Sequence, residues 1–224
     1  DTGDTQQVDF STLLHDVKHN SRLLSTHFET VHCIWNNDRA CCIPAAHCND
    51  ALLPAYFELM FGAKETGPFM KNELHHMVVV SPLPSVAAEI YAEQLKVRSN
   101  MHKYYTLLNA QQPAANENSI YMHFNPTSCI ISVYKDGNLQ LIQSYNYAVA
   151  EDVLYHVLHI CETLGLGIGE LKARAGGLID TTSPLYEKLN AYISNFEFEH
   201  ADQEKYTAQG FHDYPLHYFA SFCN

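Results

Sequence analysis

Fourteen histidines and seven cysteines are the side chains with the most obvious capacity for chemistry in this 224-residue chain. Zinc and similar ions need three or four convergent His, Cys or carboxylate ligands. The spacing here supplies only pairs: His15 with His19, His156 with His159, and His75 beside His76. No third ligand is specified, so no metal site is assigned. The densest cluster is Cys41-Cys42 with His47-Cys48. Neighbouring residues on a strand point to opposite faces, so the two adjacent thiols cannot serve one site. A nucleophilic thiolate also needs a partner His in an electropositive setting. The acidic chain offers none, and these cysteines are read as core packing. There is no Walker-type loop, Gly-x-Ser-x-Gly elbow, His-Glu-x-x-His or dinucleotide glycine fingerprint. No catalytic residue is assigned.

The elements that carry these residues come next. A formal net charge of −12 with no Lys/Arg run excludes nucleic acid as a partner on electrostatic grounds, while leaving protein partners and small ligands open. The 46% hydrophobic and 17% charged content is that of a globular protein, long enough for two domains. The odd number of scattered cysteines suits reduced core thiols in a cytoplasmic protein. No stretch reaches the ~18 to 20 apolar residues of a membrane span. No signal peptide pattern is visible, although the chain opens on Asp1 rather than Met.

Taken in order, Val8, Phe10, Leu13, Leu14 and Val17 space out one short amphipathic helix packed on the body. Leu23 to Ile43 reads as two or three antiparallel strands around the turn Asn36-Asn37-Asp38. Asn49-Asp50 caps a helix over Ala51 to Phe61, stopped by Gly62. A polar segment, Ala63 to Glu73, leads into the buried strand Met77 to Val80, followed by helices over Ser85 to Lys96 and Met101 to Asn109. Gln111 to Asn118 has linker composition. Beyond it come strands Ile120 to Phe124, Cys129 to Tyr134 and Leu139 to Tyr147, with an Asp-Gly hairpin turn. A helix over Glu151 to Leu164, a strand over Leu171 to Ile179, a helix over Pro184 to Ser194 and an edge strand over Phe196 to His200 follow.

His27-Phe28 and Cys33-Ile34 recur, equally spaced, as His123-Phe124 and Cys129-Ile130. Each half reads strand, strand, strand, helix, strand, helix. The expected organisation is a first half over 1–112 with its N-terminal helix, a second half over 119–200, and an aromatic-rich extension over 201–224. Two α/β domains built on a duplicated βββαβα unit are the expected fold class.

This doubled order resembles the superfamily of actin, sugar kinases and heat-shock chaperone ATPases. With Glu151-Asp152-Val153-Leu154 and Ala175-Gly176-Gly177-Leu178-Ile179, the chain is similar to an uncharacterised bacterial family with that actin-like ATPase, ribonuclease H-like, two-domain architecture. The resemblance implies that each half opens with an Asp-x-Gly turn for ATP phosphates and a metal. The equivalent turns here, Phe28-Glu29-Thr30-Val31-His32 and Phe124-Asn125-Pro126-Thr127-Ser128, contain no glycine. Pro126 also removes a backbone donor. If nucleotide binding is retained, Asn125, Thr127 and Ser128 would meet the phosphates, Gly176 and Gly177 the base, and Glu29 or Asp152 magnesium. The expectation is otherwise: no cofactor, and a non-catalytic scaffold that recognises another protein. A divergent ATPase or phosphotransferase using ATP with magnesium is the rival.

Overall fold

The computed structural model describes residues 10–21, 28–85, 87, 97–199, 214–219 and 222. In chain order these form α1 (Phe10–Asn20), β1 (Val31–Trp35), β2 (Cys41–Pro44), α2 (Leu53–Phe61), β3 (Phe69–Leu74), β4 (Met77–Pro82), β5 (Val97–His102), α3 (Lys103–Ala110), β6 (Ser119–Phe124), β7 (Ser128–Lys135), β8 (Asn138–Asn146), α4 (Ala150–Leu164), β9 (Lys172–Gly177), α5 (Pro184–Tyr192) and β10 (Phe196–Phe198). The chain divides into two compact units, Asp1–Lys103 and Tyr104–Asn224. The helix expected over Ser85 to Lys96 and the extension over 201–213 lie outside the described residues.

The second unit follows its expected element order. Its five strands run β10-β9-β6-β7-β8, antiparallel across β6, β7 and β8 and parallel across β6, β9 and β10. Every residue of the central β6 is buried, and α4 and α5 contribute to the core on one face of the sheet. Ile120, Met122 and Phe124 of β6 and Ile131 and Val133 of β7 pack against Val153, Val157 and Cys161 of α4. Each large aliphatic side chain withdrawn from water here contributes roughly 1.5–3 kcal/mol. Ala173 and Ala175 on β9 are fully buried on the same side, small enough to let the helices approach. On the other face, Gln111 accepts hydrogen bonds from Ser132 Oγ at 2.6 Å and Tyr134 Oη at 3.2 Å.

A charged clasp fixes β9 beside β6. The Glu117 carboxylate, 9% exposed, accepts from Lys172 Nζ at 2.8 Å and Arg174 Nη1 at 2.9 Å. Arg174 also donates to Tyr121 Oη at 2.8 Å, across the register pair Tyr121 and Arg174. Burial by itself raises the Glu117 carboxyl; the two cations outweigh it and hold the group below its usual range.

The first unit departs from its expected strand pairing. β1 and β2 are not partners: β1 lies parallel to β5, and β2 antiparallel to β4, in separate sheets ordered β1-β5 and β2-β4-β3. The segment expected to be a polar connection contains β3, which forms a hairpin with β4 through the turn His75-His76, where His75 adopts φ 52°. β5 occupies part of a stretch assigned to connection and helix, and α3 begins only at Lys103. The side chain of Asn72 in β3 ties the two sheets together: its Nδ2 donates to the Asn100 carbonyl at 3.0 Å and its Oδ1 accepts from the His102 amide at 2.9 Å.

The helix expected over Ala51 to Phe61 opens instead as a 3-10 turn over Asp50–Leu52, capped by Asn49, and continues as α2 to the left-handed Gly62. Phe57 is fully buried and packs on Phe69, ring centroids 5.0 Å apart. α1 forms as expected, with Leu13 and Val17 about half exposed.

Candidate functional site

The residues singled out in the second half meet at the C-terminal ends of β6 and β9. Because the two strands are parallel and in register, His123 lies opposite Gly176 and Phe124 opposite Gly177. The Leu178 amide continues the ladder by donating to the Phe124 carbonyl at 2.8 Å. Crossovers in α/β sheets collect chain reversals at this end of the strands, which is where ligands usually bind.

The turn between β6 and β7 closes on itself. The Asn125 amide donates to the Ser128 carbonyl at 2.8 Å, and Asn125 Nδ2 donates to Ser128 Oγ at 3.2 Å. Tyr147 holds it from the β8 side, Oη donating to the Asn125 carbonyl at 2.8 Å and its amide to the Thr127 carbonyl at 3.1 Å. With Pro126 lacking an N–H, the turn offers few backbone donors to an anion. Tyr147 was not singled out in the sequence. Its position just after an alternating strand gave no reason to separate it from the other core aromatics.

Gly176 and Gly177 have structural reasons to be glycine. Gly177 is left-handed at φ 76°, and a Cβ there would fall on the Phe124 carbonyl oxygen and within 3.0 Å of the His123 ring. A Cβ on Gly176 would fall on the Glu199 carboxylate, with the His217 carbonyl 3.5 Å away. Beyond the pair, His217 Nε2 donates to the Ile179 carbonyl at 2.7 Å while its ring stacks on Phe198 with centroids 4.2 Å apart. So the described part of the extension, Tyr214 to Phe219, reaches the end of β9. Glu199 and His217 were missed because nothing in their local sequence marks proximity to residue 176.

An open depression of about 460 Å³ lies on the α4 side of the turn, lined by Thr127, Asn146, Tyr147, Ala148 and Asp152. Asp152 caps α4: its Oδ2 accepts from the Ala148 amide at 2.9 Å and the Val149 amide at 3.1 Å, and these bonds hold its carboxyl below the usual range. Thr127 and Asp152 therefore share a surface, whereas Gly176 and Gly177 are buried. Glu29, in the first unit, is exposed ahead of β1. A carboxylate faces Gly176 and a carbonyl faces Gly177, and the Asn125 amide and Nδ2 are both bonded within the turn.

Cys41 and Cys42 alternate across β2, and burial pushes their thiols up to about 11 and about 12. His156 stacks on Tyr145 at 4.4 Å and His159 lies parallel to the Tyr155 ring at 6.0 Å. Among the described residues no group of three or more His, Cys, Asp and Glu is placed to hold a metal ion, and no helix is long and apolar enough to cross a membrane.

A five-stranded sheet ordered β10-β9-β6-β7-β8 with α4 and α5 returning across it, preceded by a second α/β unit, defines the actin-like ATPase fold. The chain belongs to the family of proteins of unknown function DUF3822, whose model matches residues 2–196. Among solved structures it is similar to a Bacteroides thetaiotaomicron protein with actin-like ATPase fold and unknown function, at 18% identity over 86% of this chain and 77% of that one, TM-score 0.72. It is also similar to a chain of the PilM-PilN type IV pilus biogenesis complex, at 10% identity over 94% of this chain and 82% of that one, TM-score 0.58. No curated protein matches the chain.

Proposed function

We propose that this protein is a non-catalytic binding or scaffold protein of the cytoplasm, in which an actin-like fold has given up nucleotide chemistry and recognises another protein. The observation that carries this reading is the self-filled glycine pair: Glu199 and His217 face Gly176, while Phe124 and His123 face Gly177. A carboxylate in that position takes up the space in which the base would have to lie. The turn that would cradle phosphate spends its Asn125 donor internally and has none at Pro126. A protein complex is known for a chain of this fold, the PilM-PilN pair, which supports a partner protein without naming one.

Titration calorimetry of magnesium-ATP tests the reading. No heat at millimolar nucleotide is the expected result; saturable micromolar binding would replace it with the rival, a divergent ATPase or phosphotransferase. The rival draws on one feature, the shared exposure of Thr127 and Asp152 on a single open surface, where a hydroxyl and a carboxylate could meet a hydrated cation.

A further inference from the structure

Three side chains around the depression beside α4 hold polar atoms with nothing to bond. Among the described residues, Thr127 Oγ1, the Asn146 carboxamide and Asp152 Oδ1 have no hydrogen-bond or ion-pair partner, although all three residues line the same space of about 460 Å³. Asp152 uses only one of its oxygens in the cap: the Ala148 and Val149 amides both donate to Oδ2. Those amides hold the carboxyl below its usual range, so the group is ionised at neutral pH. No lysine or arginine lines the depression, and Lys188, which reaches α4 from α5, is bonded to Glu151 at 2.8 Å. The His156 ring, one turn along the helix from Asp152, lies on Tyr145.

The walls of the depression are fixed by the backbone. Ser128 pairs with Asn146 at the end of the β7 and β8 ladder, the Tyr147 amide donates to the Thr127 carbonyl at 3.1 Å, and the Ala148 amide ties the next residue to Asp152. Acceptor oxygens of one charged and two neutral side chains therefore stand in a set frame, which lowers the ordering cost of binding. A magnesium or calcium ion takes roughly six or more oxygens, and one carboxylate without substrate phosphates holds it poorly. A planar guanidinium carries five N–H donors in a fixed fork and is more weakly hydrated than an ammonium. It can meet the carboxylate and the neutral oxygens at once. Val149 and Tyr155, three residues either side of Asp152 on the same helix face, are more than half exposed and give the residues flanking such an arginine an apolar footing.

We propose that this depression receives an arginine of the partner protein, its guanidinium bonded to Asp152 Oδ1 together with the Thr127 and Asn146 side-chain oxygens. The inference rests on the scaffold reading and names the chemistry of the partner's contact. Chemical-shift titration of the full chain with N-acetyl-arginine methylamide tests it, with the neutral citrulline counterpart and magnesium chloride as separate arms. The Thr127, Asn146 and Asp152 amides should shift and saturate in the millimolar range. The arginine probe should bind about tenfold more tightly than citrulline, as expected of a charge-assisted hydrogen bond, and added salt should narrow that gap. Asp152→Asn should abolish the preference for arginine over citrulline. Thr127→Val and Asn146→Ala, whose side chains bond nothing else among the described residues, should weaken the arginine probe several-fold at an unchanged melting temperature. Equal binding of arginine and citrulline, shifts confined to other residues, or no shift overturns the proposal, as does magnesium shifting these amides while the arginine probe does not. With magnesium-ATP calorimetry silent, those outcomes leave the scaffold reading standing; micromolar magnesium-ATP binding overturns that reading and this inference with it.

Discussion

The Nε2–H of His217 donates to the carbonyl oxygen of Ile179 across 2.7 Å, joining residues far apart in sequence at the end of β9. The ring that makes this bond also lies on Phe198, so one side chain anchors the segment Tyr214 to Phe219 by a polar and an aromatic contact. His217→Ala should free that segment and cost about 1–2 kcal/mol. Limited proteolysis is the check: cleavage near Tyr214 and Tyr218 should accelerate with no change in far-UV circular dichroism.

Gly177→Ala should destabilise the protein by at least about 2 kcal/mol, because the left-handed backbone and the overlap with the Phe124 carbonyl act together. Gly169→Ala, with open space and an ordinary φ, should be neutral or stabilising by up to ~1 kcal/mol. Urea denaturation of the two variants makes the comparison.

His102 is fully buried, and burial lowers its pKa to about 4 against the opposing pull of the Asn37 carbonyl, to which its Nε2 donates at 3.1 Å. The unfolded chain binds the proton near pH 6.5, the folded one only near 4, so stability is lost as pH falls from about 6.5 to about 4 and levels off below. The loss amounts to about 3 kcal/mol. His102→Gln, which carries no titrating group, should flatten the dependence in that window, measured as denaturation midpoint against pH.

Asp152 has a depressed pKa for a different reason, the two amide bonds it accepts at the start of α4. Its contribution is present above the unfolded carboxylate value and disappears as pH falls through the lower folded one. Asp152→Asn should therefore lower the melting temperature at neutral pH, and the gap between variant and parent should close in acid. A gap that persists in acid would mean that the charge is irrelevant to the cap.

The second unit was largely legible in the sequence, because β6 and β7 are mostly apolar, β8 alternates, and Asp136-Gly137 and Gly165 mark a turn and a helix end. β3 and β5 were not, since FMKNEL and VRSNMH are mostly polar and read as connection. The partners of β1 and β2 were missed for another reason: pairing is decided by residues far along the chain, and a local turn signal at Asn36-Asn37-Asp38 says only that a hairpin is permitted. At the candidate site, the sequence singled out Asn125, Thr127, Ser128, Gly176 and Gly177, and the register of β6 and β9 sets Phe124, just before the turn, opposite Gly177. It could not say what faces them, because Glu199 and His217 arrive from the chain's last quarter.

One amide in the first unit bears more than its size suggests. A two-stranded sheet such as β1 with β5 is barely stable by itself, and Asn72 reaches into it from β3 with both ends of its side chain. Both hydrogen bonds depend on that one side chain. Removing that one group by Asn72→Ala would leave β1 and β5 to open and close apart from the β2-β4-β3 sheet, turning one cooperative block into two.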